Sequence, residues 1–474
     1  MKQLVVILAS FLIASGLQVI NTIIIERSMG IEAVGQYGVF LSTIMMLAVV
    51  FQFGLRDFAT LHYVNNSSSS KNISALLRAA VFVCTSMCVI LAAFQKQGDL
   101  SLGAFQFLLE NFLSISLSVL VLVLSNFLSG VAIANRDFLS LGYFRDYGRH
   151  LATFFLIMLF FLVPSLKEYF YLGWGLIFLF LSLTFSYRYS SVLKEAFMGP
   201  GRFVAAFKKS VAFYVNDLIL NVIALGDVIL LAFFLGAEDL GIYFICSRIA
   251  VLMNVFLTLV SSHNSPALAK LIVNGEHSVS IEIMSLTSKM LSFISVPLVF
   301  LVIVFSADLL LFWDVDERYG LVLEILFLGR FFNVLTGNVG KYLIYSEKRR
   351  IEVLNNTISF TLMILLIAGL VPWYGIIGAA VANSLGLIVL NIVKYVEFKT
   401  FFSSGYIGIT QIYYTVLLAF SYCLFKLVGD SLNPVVLSLV FLVFYLGLTV
   451  SIAKRDIINY LNLINAHKKT VLVE

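Results

Sequence analysis

Five ionisable side chains in the long apolar segments of this 474-residue chain could do chemistry there: Asp217, Asp227, Arg248, Arg330 and Lys341. A charged group at the centre of a membrane helix raises the free energy of insertion by roughly 2.5–3.5 kcal/mol. These groups therefore need ion-pair partners, water or a charged ligand. Cationic groups at membrane depth suit the oxygens of a phosphate, whereas a carboxylate there suits a coupling cation or a proton.

Arg330 lies near the middle of the predicted span 320–345, about ten residues or roughly 15 Å from its start. On a continuous helix, Arg330, Asn333, Gly337 and Lys341 would form one stripe, with Asn338 beside it. We expect such a stripe to face an aqueous cavity and not lipid. Lys341 could equally well extend its ammonium group to the cytoplasmic interface.

The composition explains why these charges stand out. Hydrophobic residues make up 61% of the chain and charged residues only 12%, about half the charge of a typical soluble protein. The apolar runs are long and do not alternate, which predicts membrane helices and not barrel strands. The 31 Lys and Arg residues are spread thinly along the chain, so no basic face for nucleic acid is expected.

Apolar runs and polar breaks predict an all-α polytopic membrane protein with about fourteen transmembrane helices. The predicted spans are 4–25, 37–55, 79–95, 105–134, 147–164, 170–187, 210–235, 241–262, 287–307, 320–345, 353–371, 376–396, 408–428 and 433–453. Most Lys and Arg residues fall in alternate loops, on the side that holds both termini. Because positively charged loops stay in the cytoplasm, both termini are predicted to be cytoplasmic.

An internal repeat relates the first six spans to the next six. The segment Gly30–Tyr37 recurs as Gly236–Tyr243 at an offset of 206 residues, with the Gly, Glu and Tyr positions matched. We therefore predict an N-terminal lobe at 1–200, a C-terminal lobe at 201–400, and two additional helices with a cytoplasmic tail at 401–474. Transporters with such repeats bind substrate between their lobes and alternate access. Each repeated motif is expected to be a tight turn with an interfacial tyrosine.

The aspartates of span 7 allow two interpretations. Asp217 and Asp227 could form salt bridges with Arg248 or Arg330, or they could bind a coupling ion or proton. Asn21 is the repeat partner of Asp227, so the first copy of the repeat is polar where the second is charged. We treat Asp227, Asp217 and Asn21 as candidate coupling or gating residues.

Three short motifs carry a resemblance to a known family. They are Asp227 followed by Leu235-Gly236 and Leu240-Gly241-Ile242-Tyr243; Asn264-Ser265-Pro266-Ala267-Leu268; and Pro372-Trp373-Tyr374-Gly375-Ile376-Ile377-Gly378-Ala379-Ala380. Together with the duplicated layout, they resemble the Wzx-type polysaccharide-unit (O-antigen) flippases of the multidrug/oligosaccharidyl-lipid/polysaccharide exporter superfamily. Many Wzx proteins have twelve spans, so spans 13 and 14 depart from that pattern.

The resemblance implies a bacterial inner-membrane flippase. Its substrate would be an undecaprenyl-diphosphate-linked oligosaccharide, moved from the cytoplasmic to the periplasmic leaflet for lipopolysaccharide synthesis. Its implied partners are membrane lipid, a polysaccharide polymerase and a chain-length regulator. Arg330, Arg248, Lys341 and Asn333 are then candidate contacts for the diphosphate, with Asp227 tuning or gating them.

Two transporter alternatives remain within the superfamily. Drug/cation antiporters often carry an acidic residue in the first span, but no charged residue occurs here between Lys2 and Glu26. A lipid II flippase also has fourteen spans, although with a more strongly basic N-terminal lobe than this one.

A membrane glycan polymerase or ligase is the alternative from a different class. It would need a large extracytoplasmic loop, whereas the longest one here is 307–319, with an acidic cluster of Asp308, Asp314, Asp316 and Glu317. A solvated loop explains that cluster better than a paired-carboxylate site. The chain has no phosphate-binding Gly-x-x-x-x-Gly-Lys motif, and its four cysteines lack metal-site spacing. We therefore predict a non-enzymatic protein without cofactor or metal.

Overall fold

The computed structural model describes residues 2–64, 70–95, 110–198, 202–346, 348–428 and 434–471, and these ranges contain helices and no β-strand. The main helices are α1 (Lys2–Met29), α2 (Ile31–Phe51), α3 (Leu55–Val64), α4 (Ser70–Gln95), α5 (Phe112–Ala134), α6 (Gly148–Leu162), α7 (Phe170–Ser186), α8 (Ser190–Met198), α9 (Phe203–Leu231), α10 (Ala237–Val251), α11 (Asn254–Val273), α12 (His277–Val304), α13 (Gly320–Thr336), α14 (Val339–Tyr345), α15 (Arg349–Phe402), α16 (Ile409–Val428) and α17 (Pro434–Val471).

The prediction of an all-α polytopic membrane protein is confirmed. Each of the fourteen predicted spans is mostly helical in the described ranges, although residues 105–109 of the fourth span and residue 433 of the last lie outside them. Within those ranges, eight helices are long and apolar enough to cross a membrane by length and composition alone, and one of them, α15, contains two predicted spans. Shorter apolar helices occur at Ile73–Met87 and Ile409–Phe425.

The chain divides into two compact units, Met1–Phe244 and Ile245–Glu474. The first contains α1 to α9 and the start of α10, and the second contains the rest of α10 and all later helices. The boundaries predicted from the repeat, at 200 and 400, stay a prediction.

Helix α15 is a hairpin folded at Gly375, whose backbone is non-helical with φ 54° and ψ −134°. A straight helix of 54 residues would be roughly 80 Å long, far more than a bilayer can cover. Hydrogen bonds join its two arms in antiparallel register, including Ser359 to the carbonyl of Gly386 (2.8 Å) and Lys394 to Glu352 (2.5 Å). Trp373 is exposed at the tip, as expected for an aromatic residue at a membrane interface.

The two repeated motifs contact each other within the first unit. A Cβ on Gly35 would lie 2.1 Å from the carbonyl oxygen of Ala237, and a Cβ on Gly241 would lie 2.3 Å from that of Ile31. The offset of 206 residues relates Ile31 to Ala237 and Gly35 to Gly241. The two contacts are therefore equivalent under the repeat. The small residues therefore allow two helices to approach backbone to backbone.

The expectation for the motif tyrosines is corrected by this arrangement. Tyr37 and Tyr243 are 1% and 0% exposed and are not interfacial anchors. The Tyr37 hydroxyl is hydrogen-bonded to Thr153 (2.8 Å), and the Tyr243 hydroxyl donates to Asp227 (3.1 Å). The close glycine contact brings the next turn of each helix into the protein interior. Gly30 does supply the expected backbone freedom, with φ +88° at the turn between α1 and α2.

Candidate functional site

Arg330 is half-buried on α13 in the second unit. Among the residues that the structure describes, its guanidinium group makes no hydrogen bond and no ion pair. An arginine at membrane depth normally pairs with an acidic group, a backbone carbonyl or water. Its five N–H donors are thus available to a ligand, and two of them can bind two oxygens of one phosphate side by side.

A chain of amide side chains begins one helical turn from Arg330. The Asn333 side chain on α13 donates to Asn254 on α11 (3.2 Å), and Asn391 on α15 donates to Asn333 (3.4 Å). Thr336 donates to the Oδ1 atom of Asn391 (2.7 Å). Asn391 is buried, whereas Asn333 and Asn254 are half-buried. This chain of amides therefore extends from the buried side chain of Asn391 to the half-buried side chains of Asn333 and Asn254, one helical turn from Arg330.

The predicted continuous stripe from Arg330 to Lys341 is wrong, because the helix is interrupted at Gly337. This glycine has φ +65° and ψ −134°, so α13 ends at Thr336 and α14 begins at Val339. A residue with a Cβ adopts such a backbone only at a steric cost, which is why a glycine stands there. Lys341 lies on the separate helix α14, and Asn338 is buried at the junction.

The other cationic candidate, Arg248, is half-buried on α10 in the second unit. It precedes the interruption between α10 and α11 at residues 252–253, and Asn254 follows that interruption directly. Discontinuous membrane helices are typical of transporters near their substrate sites. A contact of Arg248 or Lys341 with substrate stays a prediction.

Asp217 forms a salt bridge with Arg56 inside the first unit. Its buried carboxylate accepts from Arg56 Nη2 (3.3 Å) and from Gln52 Nε2 (3.2 Å). The turn after α2 explains the pairing, because Phe53 and Gly54 both have positive φ and redirect the chain before Arg56. Burial alone would lower the pKa of Arg56, but the charges of Asp217 and the neighbouring Asp57 raise it above its ordinary value.

Asp227 and its repeat partner Asn21 are both buried in the first unit. The Asp227 carboxylate accepts hydrogen bonds from the Tyr243 hydroxyl (3.1 Å) and from the backbone N–H of Val228 (2.8 Å). Asn21 donates to the carbonyl of His150 (2.8 Å), and within the described chain its own carbonyl oxygen has no hydrogen-bond partner. A coupling or gating role for Asp227, Asp217 and Asn21 stays a prediction.

A buried ionic cluster between the arms of α15 was not predicted from the sequence. Lys394 Nζ contacts Glu352 Oε1 (2.5 Å) and Asn356 Oδ1 (2.9 Å), and Glu397 accepts from Asn355. Glu352 and Lys394 lie at the edges of predicted spans, where their charges suggested solvated loops. The sequence did contain a signal for this contact. Glu352 and Lys394 lie at similar distances on the two sides of Gly375, and antiparallel arms bring such residues together.

The fold and these helices agree with known membrane transporters. A family model described as "polysaccharide biosynthesis protein" matches residues 1–272, more than half of the chain. No curated protein matches the chain significantly in sequence. The chain belongs to the polysaccharide biosynthesis protein family, whose members are flippase-type transporters.

Solved structures support the same fold. The lipid II flippase MurJ, in an inward closed conformation, matches with a TM-score of 0.73 at 16% identity, covering 96% of this chain and 100% of that one. An inward-facing multidrug resistance MATE transporter of the MOP superfamily matches with a TM-score of 0.60 at 13% identity, covering 84% and 98%. A MOP superfamily transporter from Pyrococcus furiosus matches with a TM-score of 0.55 at 14% identity, covering 85% and 96%. At these identities the likeness shows the fold alone.

Proposed function

We propose that the protein flips undecaprenyl-diphosphate-linked polysaccharide repeat units from the cytoplasmic to the periplasmic leaflet of a bacterial inner membrane. The units would be of the O-antigen type, used for lipopolysaccharide synthesis, and transport would proceed by alternating access. Both chain termini would be cytoplasmic. A polysaccharide polymerase and a chain-length regulator would act on the product. The proposal rests on the family and on one observation, the lack of a protein partner for Arg330 in the described chain.

The chemistry of Arg330 favours an anionic substrate. An unpaired guanidinium raises the free energy of a membrane protein, and a bound diphosphate offsets that term with charge-assisted, bidentate hydrogen bonds. A cationic drug would be repelled by the same group. The accessible amide of Asn254 adds further donors. This donor-rich surface supports a lipid diphosphate over the substrates of a drug/cation antiporter.

The acidic loop gives little support to a glycan polymerase or ligase. Asp316 accepts from the backbone N–H of Arg318 (2.9 Å) and pairs with its side chain (3.7 Å), and both side chains are more than half exposed. A carboxylate in that setting is solvated and paired, unlike a general acid held in a cleft.

Complementation tests the role of Arg330. In a strain that lacks its own O-antigen-unit flippase, the wild-type protein should restore surface polysaccharide, whereas Arg330→Gln should not. Arg318→Gln is the matched control, because Arg318 is an exposed arginine on the short 3-10 helix Glu317–Tyr319 that precedes α13. It should restore polysaccharide fully. Normal polysaccharide with Arg330→Gln at wild-type expression would refute the role of Arg330.

Lipid II carries the same diphosphate group, so a second strain must separate the two substrates. We expect no rescue of a strain depleted of its lipid II flippase. Rescue of that strain alone would replace the proposed substrate with lipid II. Increased resistance to cationic drugs without any polysaccharide would instead support the antiporter.

A further inference from the structure

The amide chain beside Arg330 has a fixed direction. Asn391 Nδ2 lies 2.8 Å from the backbone carbonyl of Leu387, which can only accept a hydrogen bond. The amide nitrogen of Asn391 must therefore face that carbonyl, and its Oδ1 atom must face the hydroxyl of Thr336 (2.7 Å). A flipped amide would place two acceptors against each other. The orientation of Asn391 thus follows from the backbone, and not from a choice between similar atoms.

This direction is passed along the chain to Asn254. Because Asn391 donates to Asn333 Oδ1, the Asn333 nitrogen is left to donate to Asn254 Oδ1. Because the Oδ1 atom of Asn254 accepts this hydrogen bond, the Nδ2 atom of Asn254 is left to donate to another group. Asn254 is half-buried, and this nitrogen contacts no acceptor in the part of the chain that the structure describes.

The Asn254 amide nitrogen and the Arg330 guanidinium therefore make up a donor surface on the two sides of Asn333: both groups donate hydrogen bonds and neither can accept one. Asn333 links them: its amide holds Asn254, and it lies one helical turn from Arg330 on α13. The amide chain contains no carboxylate that would neutralise the guanidinium. Such a surface recognises a ligand that only accepts hydrogen bonds and carries negative charge.

We propose that Asn254 is a specificity-determining residue whose amide N–H groups bind the same diphosphate as Arg330, with the chain Asn391–Asn333 holding the amide in its donating orientation. This inference rests on the proposed function and adds to it a second binding residue. It also accounts for a hydrogen-bonded row of uncharged amides within the predicted spans, where each unmatched polar group is unfavourable. A substrate with a donor group in the same place, such as an amine, would meet the N–H groups and be rejected.

Opposite substitutions at Asn254 test the proposal. The probe is farnesyl diphosphate, and its binding to the purified protein is measured by calorimetry. Asn254→Asp keeps the shape but presents only acceptors and a negative charge, so affinity should fall by about tenfold or more. Asn254→Lys presents only donors and should bind at least as tightly as wild type. Asn274→Asp, at an exposed position just after the same helix, should change nothing.

The outcomes separate this inference from the function on which it rests. Equal losses of affinity in Asn254→Asp and Asn254→Lys would indicate that Asn254 only packs, and they would overturn the inference. Unchanged affinity in both variants would also overturn it. Loss of affinity in Arg330→Gln together with unchanged Asn254 variants would overturn the inference alone. Full affinity in Arg330→Gln would overturn the Arg330 contact on which the proposed function rests. Inorganic pyrophosphate is the second probe. If farnesyl diphosphate and pyrophosphate both bind, the protein recognises the diphosphate group. If farnesol, which lacks that group, binds and pyrophosphate does not, the inference is overturned.

Discussion

Two basic side chains within predicted spans of the second unit differ in how they are paired. Lys394 is 8% exposed and contacts both Glu352 and Asn356, whereas Arg330 is half-buried and contacts no acceptor within the described residues. The number of protein partners separates their roles. A buried charge that the protein has already paired stabilises an arrangement of helices, while an unpaired one is available to a ligand.

The repeat places similar charges at equivalent positions in the two units. The offset of 206 residues places Asp146 and Arg188 at the positions of Glu352 and Lys394. In the first copy, Asp146 pairs with its neighbour Arg145 (2.8 Å) and Arg188 is exposed. Only the second copy, where the two arms continue through Gly375, joins these charges into a buried pair. The same charge pattern therefore has different consequences in the two units.

Removing Lys394 should have the largest effect on stability. Lys394→Met leaves the Glu352 carboxylate buried without its cation, which lowers the free energy of unfolding by about 3–5 kcal/mol. The measurement is thermal unfolding of the purified protein in detergent. The double variant Lys394→Met/Glu352→Gln should recover much of the loss, because no charge then remains unpaired. A stable Lys394→Met protein that has lost transport would reverse the contrast with Arg330.

The glycine contact in the first unit should give the next largest effect. Gly35→Ala or Gly241→Ala places a methyl group against a backbone carbonyl, and overpacking of that kind costs about 1–3 kcal/mol. Gly236→Ala is the matched control from the same motif, because a Cβ there meets no atom within 4 Å. Thermal unfolding should show losses at positions 35 and 241 and none at 236. Equal behaviour at all three would refute the close approach of the repeated motifs.

Arg330→Gln should change stability in the opposite direction to Lys394→Met. Removing an unpaired charge from a membrane helix should raise the free energy of unfolding by about 1–2 kcal/mol in the absence of substrate. The same variant should lose transport. This combination is the usual mark of a residue kept for function at the expense of stability. A large loss of stability would mean that Arg330 has a structural partner after all.

The sequence predicted the helices well because long apolar runs have few alternatives, and it identified Arg330 because a charge in mid-span is conspicuous. It did not predict the break at Gly337, since a helical stripe assumes a continuous helix. It missed Glu352 and Lys394 because residues at span edges look like loop charges until the fold of α15 joins them. The burial of Tyr37 and Tyr243 depends on a contact between segments about 200 residues apart, which periodicity alone does not reveal.

Asp137 is a hydrogen-bonded charge that is only half-buried. It therefore separates the effect of pairing on stability from the effect of burial. This half-buried carboxylate follows α5 and accepts from Ser140 Oγ (2.7 Å), the Ser140 N–H (3.2 Å) and the Tyr189 hydroxyl (2.8 Å). Burial alone would raise the pKa of Asp137, but these hydrogen bonds outweigh it and hold the pKa below its ordinary value.

Asp137→Asn should therefore have the smallest effect of the series, and one that depends on pH. Because its pKa is depressed in the folded protein, Asp137 stabilises the fold above the pKa of the unfolded chain, and this contribution is lost as the pH falls through the folded value. The variant should unfold slightly below wild type at neutral pH, with the difference shrinking as the pH falls below the ordinary pKa of an aspartate. Tyr189→Phe should show part of the same difference. Three groups donate hydrogen bonds to Asp137, whereas Lys394 contacts two acceptors. If Asp137→Asn lowered the free energy of unfolding as much as Lys394→Met, then hydrogen-bond pairing, and not burial, would decide which charges stabilise this fold.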